Sequence, residues 1–455
     1  MTPLLAHGIG SVQDLPVPLW LFYYGAALVL LVSFLALWAL WPKPRLEGAD
    51  DRVRPLPPWA QRILLSPALR VALGAISLSL LAVVAAAALV GEPSPNDNIA
   101  PTFVYVVFWL GLVPLVVVFG NLWTVLSPWR AAADGLAWVS RKTGFVWEAP
   151  FVYPERVGRW PAAVLLACFA ALELAYSNPA SPRALALAVY LYSAITWLGM
   201  LAFGREAWTR NAEAFAVYFE LLSRLSPFAK REGRIVVRPP VVGLTESDSR
   251  PGTIAVVAVM LGSVAFDGLS RTTQWVDLRA EATGRAGERS LALADLVGTL
   301  VNLAGLLLII LLVASAYLAA VAAARAVAGG RGGLPQAFLF SLVPIALAYA
   351  VAHYFSLLVV QGQYVVPLAS DPFGFGWDLF GTADVQPNLS VVSPNAVWYT
   401  QVAALVLGHV IALVLAHDKA VALFRSGGTA VASQYAMLAL MVAYTVAGLW
   451  LLSSG

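Results

Sequence analysis

The feature that most constrains this chain is a series of continuous apolar runs, each close to twenty residues long. Such a run crosses the roughly 30 Å hydrocarbon core of a bilayer as a helix, with every backbone group satisfied internally. Ten are legible: 18–42, 69–91, 101–127, 161–178, 184–203, 253–270, 294–324, 336–360, 398–418 and 432–452. The runs are continuous, where a barrel strand alternates, so the expected fold is an all-α, polytopic membrane helix bundle of about ten transmembrane helices. Only 12% of the residues are charged, about half of what a soluble domain carries.

Charge fixes a sidedness. With the N-terminus and C-terminus both outside, 23 of the 28 Lys and Arg residues fall in the inside connections, and only Arg183, Arg271, Arg279, Arg285 and Arg289 lie outside. That asymmetry is the positive-inside pattern, and one span more or fewer would scramble it. It predicts a multi-pass membrane protein whose main partner is the lipid bilayer. The net charge of +3 gives no reason to expect nucleic acid. The single cysteine, Cys168, excludes an internal disulfide and any thiolate metal or iron–sulfur site.

Two connections are long. Residues 204–252 read as a cytoplasmic amphipathic helix, interrupted on its apolar face by Arg210, Glu213, Glu220 and Arg224, followed by a proline-rich loop; a re-entrant helix is the alternative. Residues 361–397 form an extracytoplasmic loop with Asp371, Asp378 and Asp384 and the aromatic residues Phe373, Phe375, Trp377 and Phe380. Aromatic side chains there suit interfacial anchoring or a lid.

Ionisable side chains inside the spans are the functional signal, because hydrocarbon offers them no water. Three of the four histidines lie between Leu334 and Lys419. His353 is roughly 10 Å below the outer end of its span and His409 roughly 16 Å below the start of the next. Glu173, Asp267 and Asn302 occupy the outer half too, with Gln361 and Gln363 at the mouth. A shared polar cavity open to the outside is expected. His353 and His409 are candidate cofactor ligands, and His353, His409, Glu173 and Asp267 a candidate metal set. Glu173 and Asp267 are the candidate catalytic or proton-carrying groups. Imidazole and carboxylate together suit Cu or Zn, and two imidazoles alone suit haem b. His417, with Asp418 and Lys419, reads as a solvated helix end. An N-terminal histidine such as His7 would chelate copper if processing exposed it. No nucleotide-binding, HExxH, GxSxG or CxxCH motif occurs.

The stretches AHGIGSVQDLPVPLWLF, GSVAFDGLSRTTQW, PIALAYAVAHYFSLLVVQGQ and LGHVIALVLAHDKA resemble a mostly actinobacterial family of multi-span membrane proteins labelled fenitrothion hydrolase. That resemblance implies a bacterial cytoplasmic (inner) membrane location and organophosphate hydrolysis, which normally uses a metal-activated water. The residues leave four functions open: metal or haem binding for redox chemistry or metal handling, metal-dependent membrane hydrolysis, proton-coupled transport, and a structural role beside other membrane complex partners. The first three take a small-molecule or metal ligand from the outer side.

Overall fold

The computed structural model describes residues 18–48, 52–144, 147–248, 250–327, 333–424 and 427–454. His7 lies outside them. Among the described residues, nine helices are long and apolar enough to cross a membrane. The run expected at 161–178 forms a helix of only 15 residues, Trp160–Leu174. At ~1.5 Å per residue this is shorter than the hydrocarbon core. It packs between other helices, and Arg159 at one tip and Pro179 beyond the other reach opposite ends of the bundle. The architecture is therefore the expected all-α helix bundle.

Contacts between connecting segments separate the bundle into two ends, matching the division drawn from charge. At the basic end, Arg70 pairs with Asp134 at 2.6 Å and Arg130 with Glu206 at 2.6 Å. Lys419 pairs there with Glu47. A small antiparallel sheet closes the same end. It joins β1 (Arg54–Pro55), β2 (Phe228–Arg231) and β3 (Arg234–Val237) in the order β1-β3-β2, with Arg54 opposite Val237 and Lys230 opposite Ile235. At the other end, the Glu92 amide donates to the Phe373 carbonyl and the Tyr105 hydroxyl to the Pro179 carbonyl. The 361–397 loop folds over this end as a cap. The Asp371 carboxylate accepts the amides of Phe375 and Gly376, and Gln363 is stitched to Asn388 in both directions. Phe373, Phe375 and Trp377 pack on one another with centroids 5.4–5.6 Å apart.

The helix Thr253–Ser270 is the axis of the bundle: 72% of its apolar window is buried, against 22% for the first span. Small residues allow its neighbours to approach. A Cβ on Gly262 would stand 2.7 Å from the Ile310 Cα, so only glycine lets these two backbones meet. The helices Val343–Gln361 and Pro394–Leu423 meet in the same way. A Cβ on Gly408 would lie 2.3 Å from the Ala348 Cβ and 2.8 Å from the Pro344 carbonyl. Gly408→Leu therefore overpacks this seam, and a loss of about 1–3 kcal/mol is expected. Thermal melting in detergent, followed by tryptophan fluorescence, would read it as a lowered midpoint. An unchanged midpoint would show that the seam can open freely.

Four segments differ from their sequence reading. Residues 204–252 do not form one amphipathic helix on a surface. The helix breaks at Ala212 into Arg205–Asn211 and Ala214–Ser223, and all residues of the second except Glu220 are buried. Three of the four charges on that face are instead bound: Glu213 caps the second helix, while Glu220 and Arg224 bind each other; Arg210 is exposed. The basic connection after the third span contains an amphipathic helix, Pro128–Lys142, and the charged outer connection contains the helix Thr273–Gly287. The third span is irregular. Thr102–Leu110 is π-helical, and the chain breaks at Gly120, whose φ of +87° suits glycine. Wide π turns often mark functional sites.

Candidate functional site

Asp267 closes the last turn of the axial helix and is 1% exposed. A carboxylate at that depth persists only if its oxygens are met. Oδ1 accepts from Arg271 Nη2 at 2.8 Å and Nε at 3.2 Å. The two residues are four apart, on the same helix face. Oδ2 sits 2.8 Å from His353 Nε2 and accepts the Tyr354 hydroxyl at 2.9 Å. With the carboxylate ionised, His353 Nε2 carries the proton and donates it. The two rings meet edge to face, with centroids 4.8 Å apart. Consecutive residues point ~100° apart on a helix, so one carboxylate can hold both only where this helix passes directly beside it. The His353 side chain is 11% exposed and that of Arg271 31%.

Glu173 belongs to the same neighbourhood. It lies within electrostatic range of Asp267 and Arg271, and of the hydroxyls of Tyr105, Tyr218 and Tyr354. The site thus has two carboxyl groups, one imidazole, one guanidinium and several phenols. They come from the axial helix, the short helix Trp160–Leu174, the π-helical span, Ala214–Ser223 and Val343–Gln361.

His409 does not join them. It is 0% exposed, and its Nδ1–H donates to the Leu405 carbonyl at 2.8 Å. Its Nε2 is buried without a partner, and its ring packs 6.1 Å from Tyr349, one helical turn below His353. The tight Gly408–Ala348 contact fixes this register. The expected ligand set of His353, His409, Glu173 and Asp267 is therefore not assembled. Among the described residues, no three His, Cys, Asp or Glu side chains are grouped to hold a metal ion. The donors do not fit the Cu, Zn or di-imidazole haem site that the sequence suggested.

The remaining candidates are structural. Trp275 Nε1 donates to Asn302 Oδ1 at 3.0 Å, fastening two helices together. His417 and Asp418, expected to be a solvated helix end, are both 1% exposed. Asp418 accepts the Trp41 indole and the amides of Arg45, Leu46 and Glu47. His417 joins Gln434 to the Trp41 carbonyl. Together they clamp the segment that follows the first span.

No family model matches this chain. No curated protein and no solved structure is significantly similar to it either. Function therefore has to be argued from the site. Sequence reasoning singled out Asp267 and His353, which meet here, but not Tyr354. Its place beside His353 in AHYF was the available signal. The same reasoning read Glu213 as a charge on an amphipathic surface helix and did not single out Arg159; both look ordinary until the short buried helix is known.

Proposed function

We propose that this chain is an integral membrane protein that carries protons through the Asp267–His353–Tyr354 cluster and drives transport with them. The observation that carries the reading is the division of one buried carboxylate between two elements. Oδ1 holds Arg271 at the end of the axial helix, and Oδ2 holds His353 and Tyr354 on its neighbour. Neutralising Asp267 releases an ion pair and an imidazole together, so one proton alters contacts on both helices. Imidazole is the side chain best suited to exchange protons near neutral pH, and ionisable groups between spans commonly form such relays. The charge asymmetry supports an orientation with the basic end in the cytoplasm. The cluster then lies nearer the extracytoplasmic side.

The test uses purified protein in liposomes loaded with a pH-sensitive dye, under an imposed potassium diffusion potential. Acidification faster than in protein-free liposomes is expected. Asp267→Asn should slow it by about a hundredfold, the usual scale for losing a positioned proton carrier. Wild-type protein indistinguishable from empty liposomes would sink the reading.

A further inference from the structure

The capped end of the bundle holds an apolar face in water. Phe375, Trp377, Leu379 and Phe380 are 43–71% exposed. Their backbone is pinned from below. Ser370 is 0% exposed, and its hydroxyl accepts the Phe380 and Thr382 amides at 3.2 and 3.3 Å and meets the Thr382 hydroxyl at 2.7 Å. The Ser370 carbonyl takes the Leu379 amide at 3.1 Å, and the Asp378 carboxylate takes the Ala383 amide at 3.0 Å. Phe373 packs inward, on the apolar cluster around Ile99 and Leu368. The exposed side chains therefore stand on a fixed scaffold, and a partner that covers them spends little on ordering the loop. Exposed apolar patches rimmed by polar groups mark protein or membrane contacts.

Charge separates those two partners. Glu92 and Asp97 border the loop: a Cβ on Gly374 would lie 2.8 Å from the Glu92 Cβ and 2.4 Å from the Asp97 carbonyl oxygen. Glu92, Asp97, Asp378 and Asp384 are all exposed. No Lys or Arg occurs between Arg70 and Arg130 or between Arg331 and Lys419, the two stretches that build this face. The neighbouring connection, reached by the bond from Tyr105 to Pro179, adds only Arg183. The other basic residues assigned to this side lie on a separate connection, around the helix Thr273–Gly287. A bilayer surface is anionic or neutral and gains nothing from carboxylates. A cationic polypeptide gains from each of them as its apolar side chains are covered.

We propose that this face docks a protein segment whose own apolar side chains are rimmed by Lys and Arg. The proposal is independent of proton carriage. Trp377 and Phe380 are the apolar anchors, the residue types that dominate such interfaces. Glu92, Asp97, Asp378 and Asp384 meet the partner's cations at the rim, where charge sets salt dependence and the rate of encounter.

The test uses the full chain in phosphatidylcholine nanodiscs and a pair of fluorescein-labelled synthetic helical peptides. Both peptides share a leucine face; the opposite face is lysine in one and glutamate in the other. Empty nanodiscs give the lipid background. Fluorescence anisotropy should show the lysine peptide binding about tenfold more tightly than the glutamate peptide, with the advantage shrinking as salt rises. Joint Glu92→Gln and Asp384→Asn should weaken the lysine peptide about fivefold, and Phe380→Ser about thirtyfold. Equal affinity for the two peptides, or binding of neither above the empty-nanodisc background, overturns the proposal. Trp377 emission, taken as the difference between wild type and Trp377→Phe, checks the lipid alternative. It should be unaffected by brominated phosphatidylcholine; strong quenching would make the face a bilayer anchor and overturn the proposal as well.

Discussion

Glu213→Ala is expected to destabilise the folded chain by about 3–5 kcal/mol, the cost of stripping a buried charged acceptor from its partners. Glu213 is 0% exposed. Its carboxylate accepts the Trp123 indole N–H at 3.0 Å, the Tyr192 hydroxyl, and the Phe215 and Ala216 amides at 3.0 and 2.9 Å. The last two bonds cap the helix Ala214–Ser223. A helix N-terminus also attracts negative charge, so cap and electrostatics act together. Alanine leaves four donors unmet in an interior with little water to replace the acceptor. The individual penalties do not add in full, because the site relaxes. The effect should spread to Tyr218, five residues on in the same helix. Unfolding in mixed anionic and non-ionic detergent would measure the loss. A variant within about 1 kcal/mol of wild type, less than one ordinary unsatisfied donor, would show that the carboxylate is not a structural keystone. Glu213→Gln should fall between the two, since an amide can meet some of these donors but brings two donors of its own.

Arg159→Ala should be comparably damaging, again by about 3–5 kcal/mol, because removing one partner strands a buried charge. Arg159 is 0% exposed, 2.8 Å from Glu220 and 3.2 Å from Asp248. Arg224 also binds Glu220 and Arg250 also binds Asp248, so the loss should sit toward the lower end of that range. The same cluster predicts a pH dependence. Burial pushes the Asp248 carboxyl up, but the hydrogen bonds from Arg250 and the charge of Arg159 outweigh it and hold the group down, from 3.8 to about 2. A carboxyl lowered in the folded state binds protons more readily when unfolded. Its stabilising contribution is therefore complete above pH 3.8 and is lost as pH falls toward about 2. In Arg159→Ala the group is held less firmly, so melting curves should be lower at neutral pH yet flatter across that acid window. Parallel curves for variant and wild type would break the link between Arg159 and Asp248.

Much of the fold was legible because it depends on a one-dimensional quantity. Hydrocarbon thickness sets the length of a span, and lipid removes the water that would otherwise satisfy a broken helix. Nine of the ten runs form helices of that length among the described residues, and the contacts at the two ends respect the division of Lys and Arg. Depth was legible for the same reason, since it is counted along one helix. Asp267 and His353 were both placed near one end of the bundle, and they meet there.

Rotation about each helix axis was not legible, because it depends on the neighbour against which the helix packs. His353 and His409 are similar in sequence context and depth. Gly408 lets its helix close on Ala348 and Pro344, and that register turns His409 to Tyr349 while His353 faces Asp267. Tertiary packing also moved a charged stretch into the interior, where Glu213 and Arg159 found partners from distant segments. The sequence by itself marked the runs long and apolar enough to cross a membrane, nine of the ten among the described residues, and the position of each polar group along its helix. The three-dimensional packing alone decided which of those groups face one another, because apolar length acts residue by residue while azimuth belongs to pairs of helices.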